Sequence, residues 1–151
     1  MSDILHQPSL AFSRNAHLDE SQYEALYKQS ITDPESFWSK HGRRLDWIKN
    51  YSKIKNISFE HSNVSIKWFE DGVLNVSANC IDRHLSTRGE QTAIIWEGDN
   101  PLEEKHISYS ELYEKVCRLA NVYKSLGLGK GDRVIIYMPM IPEAAYAMLA
   151  C

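Results

Sequence analysis

Ile107-Ser108-Tyr109-Ser110-Glu111-Leu112 begins, and Pro142-Glu143-Ala144-Ala145-Tyr146-Ala147 completes, the stretch that decides the fold. Ser108 and Glu111 form a capping box: the hydroxyl can take the Glu111 N–H and the carboxylate can reach back to Ser108. Ile107 and Leu112 stand at the two positions of a hydrophobic staple. Leu112, Val116, Leu119, Tyr123 and Leu126 then recur at helical spacing, so a helix with one apolar stripe follows. Gly127 supplies a left-handed stop, and Gly129 to Asp132 turns the chain. Val134-Ile135-Ile136-Tyr137-Met138 reads as an apolar strand of the kind that is covered on both faces. Pro142 fits the first turn of a second helix. Upstream, Ala93-Ile94-Ile95-Trp96 is a strand, Gly98-Asp99-Asn100-Pro101 breaks it, and Lys105 to Ser108 returns as its hairpin partner. Hairpin, helix, strand, helix is the order of an α/β protein with crossover connections.

Further toward the N-terminus the pattern weakens. His17 to Ser30 carries a helix that starts at Asp19 or Glu20, with Tyr23, Leu26 and Tyr27 on one face. A second helix starts at Asp33-Pro34, and Phe37, Trp38, His41 and Leu45 recur along it. Asp46 to Asn63 is polar and weakly patterned, and reads as an extended connection lying against a surface. Asp71-Gly72 is a turn. A third helix runs from Ser77 to Arg88, with Gly89 as its stop.

The 151 residues suit roughly one domain. With 43% hydrophobic and 25% charged residues the chain is ordinary globular protein. A net charge of -3 gives no reason to expect nucleic acid or an anionic membrane as partner. Cys80, Cys117 and Cys151 are widely spaced and form no C-x-x-C pair, which suits reduced thiols in a cytoplasmic protein. Met1 to Phe12 has no basic segment followed by an apolar run, so no secretory signal is expected there. The apolar runs fall short of the about 20 residues that a membrane-spanning helix needs. Pro142 to Cys151 is apolar apart from Glu143 and has no closing Gly or basic last turn. Such a helix needs neighbours on every side. The expectation is a chain cut from something larger, and marginally stable alone.

Several stretches resemble chemistry and were tested as such. Gly127-Leu128-Gly129-Lys130-Gly131 looks like a phosphate loop, but it follows a helix and precedes a strand, the reverse of the order that loop needs. Met138-Pro139-Met140-Ile141-Pro142 lies where an α/β sheet places ligands, yet it has no glycine and no charge before Glu143. Asp82-Arg83-His84 suggests a base with its orienting partner, but no nucleophile is near. The expected role is structural, with Arg83 or Asp82 tying its helix to another part of the molecule. His6, His17, His41, His61, His84 and His106 are scattered, without metal-ligand spacing. Trp38, Trp47, Trp68 and Trp96 lack a basic groove around them and read as core or interface rather than a base-stacking platform. Arg43-Arg44 and Lys53-Ile54-Lys55 read as solvated faces. No catalytic, cofactor-binding or metal-ligating residue is assigned.

The blocks DPESFWSK (Asp33 to Lys40), WFEDGVLNVSANCIDRHL (Trp68 to Leu85), AIIWEGDNP (Ala93 to Pro101) and GDRVIIYMPMIPEAAYAMLAC (Gly131 to Cys151) resemble, in order and spacing, the N-terminal portion of AMP-forming acetyl-CoA synthetases. The likeness begins near Leu18, and its later part is similar to the wider adenylate-forming superfamily. It implies an incomplete α/β fold: residues 1–90 as the family's helical and extended N-terminal extension, and residues 91–151 as the start of the AMP-binding ligase domain. It also implies a parent activity, the synthesis of acetyl-CoA, AMP and pyrophosphate from acetate, ATP and CoA through acetyl-adenylate, with Mg. The family's phosphate loop, nucleotide motifs and catalytic lysine lie beyond the match, so this stretch is expected to bind none of these and to be inactive alone. Its partner would be the remainder of a synthetase or another synthetase subunit. Two alternatives are a non-catalytic partner-binding module on the same scaffold and a propionyl-CoA synthetase fragment.

Overall fold

The computed structural model describes residues 6–100 and 102–151. Pro101, read above as part of the first hairpin's break, lies outside the described residues. The chain divides into two compact units, one holding the chain up to Leu45 together with Lys49–Gly72, the other Asp46–Ile48 with Val73–Cys151.

The first unit carries helices α1 (Leu10–Arg14), α2 (Glu20–Thr32) and α3 (Pro34–Gly42), then strands β1 (Lys53–Glu60) and β2 (Asn63–Glu70). Both longer helices start where their caps predict. The Asp19 carboxylate takes the Gln22 N–H at 2.8 Å, and the Gln22 amide oxygen takes the Asp19 N–H at 2.9 Å. Asp33 takes the Ser36 N–H, with Pro34 in the first turn of α3. Tyr23 and Tyr27, one turn apart, stack at 6.2 Å.

Helix α1 and strands β1 and β2 were not read from the sequence. The polar stretch expected to be an extended connection instead pairs antiparallel with β2, bringing Ile57 opposite Ile66 and Phe59 opposite Val64. Such cross-strand apolar pairs hold a hairpin together. Its two-residue connection, His61-Ser62, lacks the Asn-Gly type signal that announces a tight hairpin. The predicted Asp71-Gly72 turn is present, with the Gly72 N–H on the Phe69 carbonyl at 3.1 Å and Asp71 left-handed at φ +58°.

Phe69 is itself left-handed, at φ +49°. Consecutive strand residues normally point to opposite faces, and this backbone twist breaks the alternation. Trp68 therefore meets Trp38 of α3 edge-on at 5.7 Å, while the next ring, Phe69, lies so close to Gly42 that a Cβ there would sit 2.8 Å from it. The aromatics Phe37, Trp38, Tyr51, Trp68 and Phe69 make the packing of this unit.

The second unit contains a π-helical turn (Ala78–Asp82), α4 (Arg83–Arg88), β3 (Thr92–Glu97), β4 (Glu104–Ser108), α5 (Tyr109–Ser125) and α6 (Pro142–Ala150). The hairpin β3–β4 is antiparallel, with Ile94 opposite Ile107 and an irregularity between Thr92 and Ile94. The capping box forms as read: Ser108 Oγ takes the Glu111 N–H at 3.2 Å, and Glu111 Oε2 takes the Ser108 N–H at 2.9 Å. Its staple residues enter the core, where Ile107, Leu112, Val116 and Tyr146 surround Ile81, which is 0% exposed. Leu85, Ile94, Leu119 and Leu149 close over them. The apolar stripe of α5 holds through Tyr123 and ends at Leu126, which is exposed. Gly127 takes the left-handed conformation, φ +82°, and the Leu128 N–H returns to the Tyr123 carbonyl.

Gly89 ends α4 as expected, but in right-handed backbone, with φ and ψ of -50° and -42°. It is glycine's small size that fits there: a Cβ would lie 2.8 Å from the Leu85 carbonyl oxygen and 2.8 Å from Ser110 Oγ. The run Val134 to Met138, expected as a strand, belongs to no ladder among the described residues. A strand needs a neighbour for its N–H and C=O groups, and the two described sheets hold only β1–β2 and β3–β4.

Candidate functional site

Asp82, Arg83 and His84 close the π-helical turn and start α4. Arg83 Nε lies 3.4 Å from Asp46 Oδ2, and its guanidinium donates to Asn79 Oδ1 at 3.1 Å. Asn79 in turn grips the backbone of Asp46 from both sides, its Oδ1 taking the Asp46 N–H at 2.8 Å and its Nδ2 donating to the Asp46 carbonyl at 3.0 Å. The arrangement is a clasp that fixes the segment entering at Asp46; of the two residues expected to tie this helix, Arg83 or Asp82, it is Arg83 that does so. The His84 ring lies 5.4 Å from that of Tyr109, tilted by 58°. Asn79 escaped sequence reading, because an asparagine inside a helical pattern announces no partner 33 residues away.

Two of the three glycines at 127–131 have their amides engaged within the chain. The Gly127 N–H is held by the Lys124 carbonyl, and the Gly129 N–H donates to Asp132 Oδ2 at 2.7 Å. Gly131 sits at φ +97° and simply carries the turn.

The corner at 138–142 is held by bonds on both sides. The indole N–H of Trp96 on β3 donates to the Met140 carbonyl at 2.7 Å. The Ile141 N–H folds back on the Pro139 carbonyl at 2.8 Å. Beneath the corner lies a cleft of about 510 Å³ whose walls include Ile107, Glu111, Tyr123, Met138, Glu143 and Tyr146. Burial, then the nearby carboxylates of Glu143 and Glu111, push the Tyr146 phenol above its ordinary pKa. Its hydroxyl is therefore a protonated donor at neutral pH. Lys105 stands at the rim, its ammonium over the Trp96 ring at 5.2 Å. The cleft suits an apolar group with a hydrogen-bond acceptor. It does not suit a triphosphate: it offers no backbone cradle, and the ammonium groups of Lys105 and Lys115 in its lining are offset by the carboxylates of Glu111 and Glu143.

The histidines stay dispersed. His41 packs on Phe37 at 4.3 Å, with Nδ1 3.4 Å from Arg44. Among the described residues no three His, Cys, Asp or Glu side chains come together as metal ligands. The three cysteines are free thiols. Cys117 bonds Tyr113, and that bond, with the charge of Asp82 beyond it, raises the Tyr113 pKa.

Comparison with known proteins defines the class. Residues 81–151 match the family described as AMP-binding enzyme, and the architecture is that of the N-terminal part of a solved acetoacetyl-CoA synthetase from Streptomyces lividans. That likeness has a TM-score of 0.72 at 28% identity, over 93% of this chain and 22% of the other. Residues 23–80 match Acetyl-coenzyme A synthetase N-terminus. The acetyl-coenzyme A synthetase of Methylocella silvestris is 62% identical over all 151 residues, and that of Methylobacterium radiotolerans 64% identical over 141. The chain belongs to the AMP-forming acetyl-CoA synthetase family and corresponds to the N-terminal part of its members. It spans 23% of the length of the first of these relatives and 22% of the second.

Proposed function

We propose that this chain is scaffold for an acetate–CoA ligase: it supplies the N-terminal extension, residues 1–90, and the first elements of the nucleotide-binding domain, residues 91–151. The observation that carries the reading is the 62% identity to an acetyl-coenzyme A synthetase across every residue of the chain. In an intact ligase the acetate carboxylate attacks the α-phosphate of ATP, pyrophosphate leaves, and the CoA thiol then takes the acetyl group with release of AMP. Magnesium and cationic groups offset the phosphate charge in such chemistry. The residues described do not fit ATP, Mg or CoA: the amides of Gly127 and Gly129 are engaged within the chain, and the cleft at the strand-to-helix corner is lined by as many carboxylates, Glu111 and Glu143, as ammonium groups, Lys105 and Lys115. No step is therefore assigned to a side chain of this chain, and its role is to shape and support.

A cytoplasmic location follows from this reading and agrees with three free thiols and with the absence, among the described residues, of a helix long and apolar enough to cross a membrane. The test is acetate-dependent pyrophosphate release by the purified 151-residue chain. We expect none above background at substrate concentrations that drive an intact synthetase. Measurable turnover would mean that catalytic groups reside here after all.

A further inference from the structure

Asp71-Gly72 is the single Asp-Gly step of the sequence, and there is no Asn-Gly step. Such a dipeptide carries chemistry of its own. The glycine nitrogen can attack the aspartate Cγ, because glycine has no side chain to hinder the approach and its backbone reaches the needed geometry. The N–H proton leaves with the carboxyl hydroxyl as water, and a succinimide ring closes. Water then opens the ring at the former main-chain carbonyl of the aspartate. The product is isoaspartate, in which the peptide bond to glycine runs through Cγ and the old main-chain carbonyl carbon has become the free carboxylate. One water is lost and one regained, so the isomerisation needs no co-reactant.

Both reacting groups are tied up in the folded turn. The Gly72 N–H donates to the Phe69 carbonyl at 3.1 Å. Asp71 Oδ1 takes the Ser52 N–H at 2.8 Å, and Oδ2 takes the Lys49 ammonium at 3.1 Å. The backbone between them is set left-handed at Asp71, φ +58°. Ring closure expels a hydroxyl and so draws on the protonated acid. The Ser52 N–H and then Lys49 hold the Asp71 carboxyl below its ordinary pKa, which keeps it ionised at neutral pH. The Ser52 N–H is shared with the Glu70 carbonyl at 3.1 Å, next to the Lys53–Glu70 pair that ends the β1–β2 ladder. The Asp71 side chain is 44% exposed, so hydrogen bonds rather than packing keep this turn closed.

We infer that Asp71-Gly72 is a latent isoaspartate-forming site gated by the turn after β2, reacting from the open turn and silent in the closed one. The change is lasting. Isoaspartate adds one carbon to the main chain and moves the carboxylate onto the backbone, so Ser52 and Lys49 lose the oxygens they now hold and the turn does not reclose in its first form. The class of enzyme that would recognise the product is a carboxyl methyltransferase acting on isoaspartate.

The experiment is ageing of the purified 151-residue chain at neutral pH in graded guanidinium chloride. Isoaspartate is counted as methyl groups accepted from such a methyltransferase. It is located with an endoproteinase that cuts before aspartate but not before isoaspartate, and exchange of the Gly72 amide is followed alongside. Isoaspartate at position 71 should form at least about 10-fold faster in the unfolded chain than in buffer, because opening of the turn then costs nothing. Below the unfolding transition its rate should rise in proportion to Gly72 amide exchange. Gly72→Ala, aged in the unfolded state where its effect on folding is irrelevant, should lose most of the methyl acceptance. Equal rates in buffer and in the unfolded chain would overturn the gate, and so would a rate that stays flat while Gly72 exchange rises. Methyl acceptance unchanged by Gly72→Ala would place the chemistry at another residue and end the inference.

Discussion

Ala93-Ile94-Ile95-Trp96 and Val134-Ile135-Ile136-Tyr137 are nearly the same sequence with different outcomes. The first is the middle of β3, paired to β4 and packed through Ile94 on the core. The second has no ladder partner and leaves Ile135 and Tyr137 in water. Local preference for extended backbone does not separate them: the unpaired run is β-branched and aromatic throughout, whereas the paired one begins with Ala93. What separates them is distance to a partner. β3 finds its neighbour across the short connection 98–103, within reach of a hairpin. The second run is flanked on both sides by helices, so its neighbour must come through a crossover. The lesson is that strand character belongs to a segment, whereas a sheet belongs to the chain that surrounds it.

The largest effect that could break this contrast lies beneath β3. Ile81 is fully buried and touches the residues that seat the hairpin on α5 and α6. Ile81→Ala should destabilise the second unit by about 4 kcal/mol, read by urea titration of circular dichroism. Next comes the direct comparison of the paired strand with the unpaired run. Ile94→Ala removes a half-buried side chain that packs on the core and should cost about 2 kcal/mol. Ile135→Ala removes one already in water and should change stability by less than about 0.5 kcal/mol. Equal losses at the two positions would mean that 133–138 is packed in solution, and the contrast would fail.

The same distinction explains what the sequence reveals and what it hides. Caps are legible because their chemistry is contained in four residues. Asp19 with Gln22, Asp33 with Ser36 and Ser108 with Glu111 all bond as their spacing requires. The left-handed Gly127 is legible for the same reason, and so is the stop at Gly89, although there glycine answers to the close approach of Leu85 and Ser110 rather than to backbone twist. Strand β1 is hidden because Lys53-Ile54-Lys55-Asn56 looks solvated, and its order comes from pairing with residues 63–70. At the candidate site the Arg83 tie was legible in kind. The Asn79 clasp on Asp46 and the Trp96 bond to Met140 were not, since each joins residues more than 30 positions apart.

A smaller effect sharpens the comparison at the point where the two runs meet. Trp96 closes β3 and its indole N–H anchors the end of the unpaired run at Met140. Trp96→Phe keeps the ring's bulk and removes that donor. The expected loss is about 1 kcal/mol, typical of one hydrogen bond. Amide exchange at 141–144 should rise while that of β4 stays unchanged. Faster exchange throughout β3–β4 would show instead that the bond supports the hairpin rather than the corner.

The smallest effects set the two hairpins apart by pH. Beside β1–β2, the Ser52 N–H and then Lys49 hold the Asp71 carboxyl below its ordinary pKa, and Asn56, followed by Lys67, does the same for Glu70. A carboxyl whose folded pKa is depressed contributes stability above its unfolded pKa, and that contribution disappears as pH falls through the folded value. Acid should therefore loosen this turn, in a window that starts in the ordinary carboxylate range and extends below it. Under β3–β4 the controlling group is Tyr146, whose pKa is raised first by burial and then by Glu143 and Glu111. A raised phenol contributes its stability in full below the unfolded tyrosine pKa and loses it as pH rises through the folded value, so alkali should loosen that core instead. The two carboxyls are open to water, which screens them, so the readout must be local. The Ser52 amide resonance should move on acidification, while tyrosinate absorbance from Tyr146, isolated with Tyr146→Phe, should lag behind the remaining tyrosines on the alkaline side. If Tyr146 titrates with the exposed tyrosines, α6 is not seated on the core in solution.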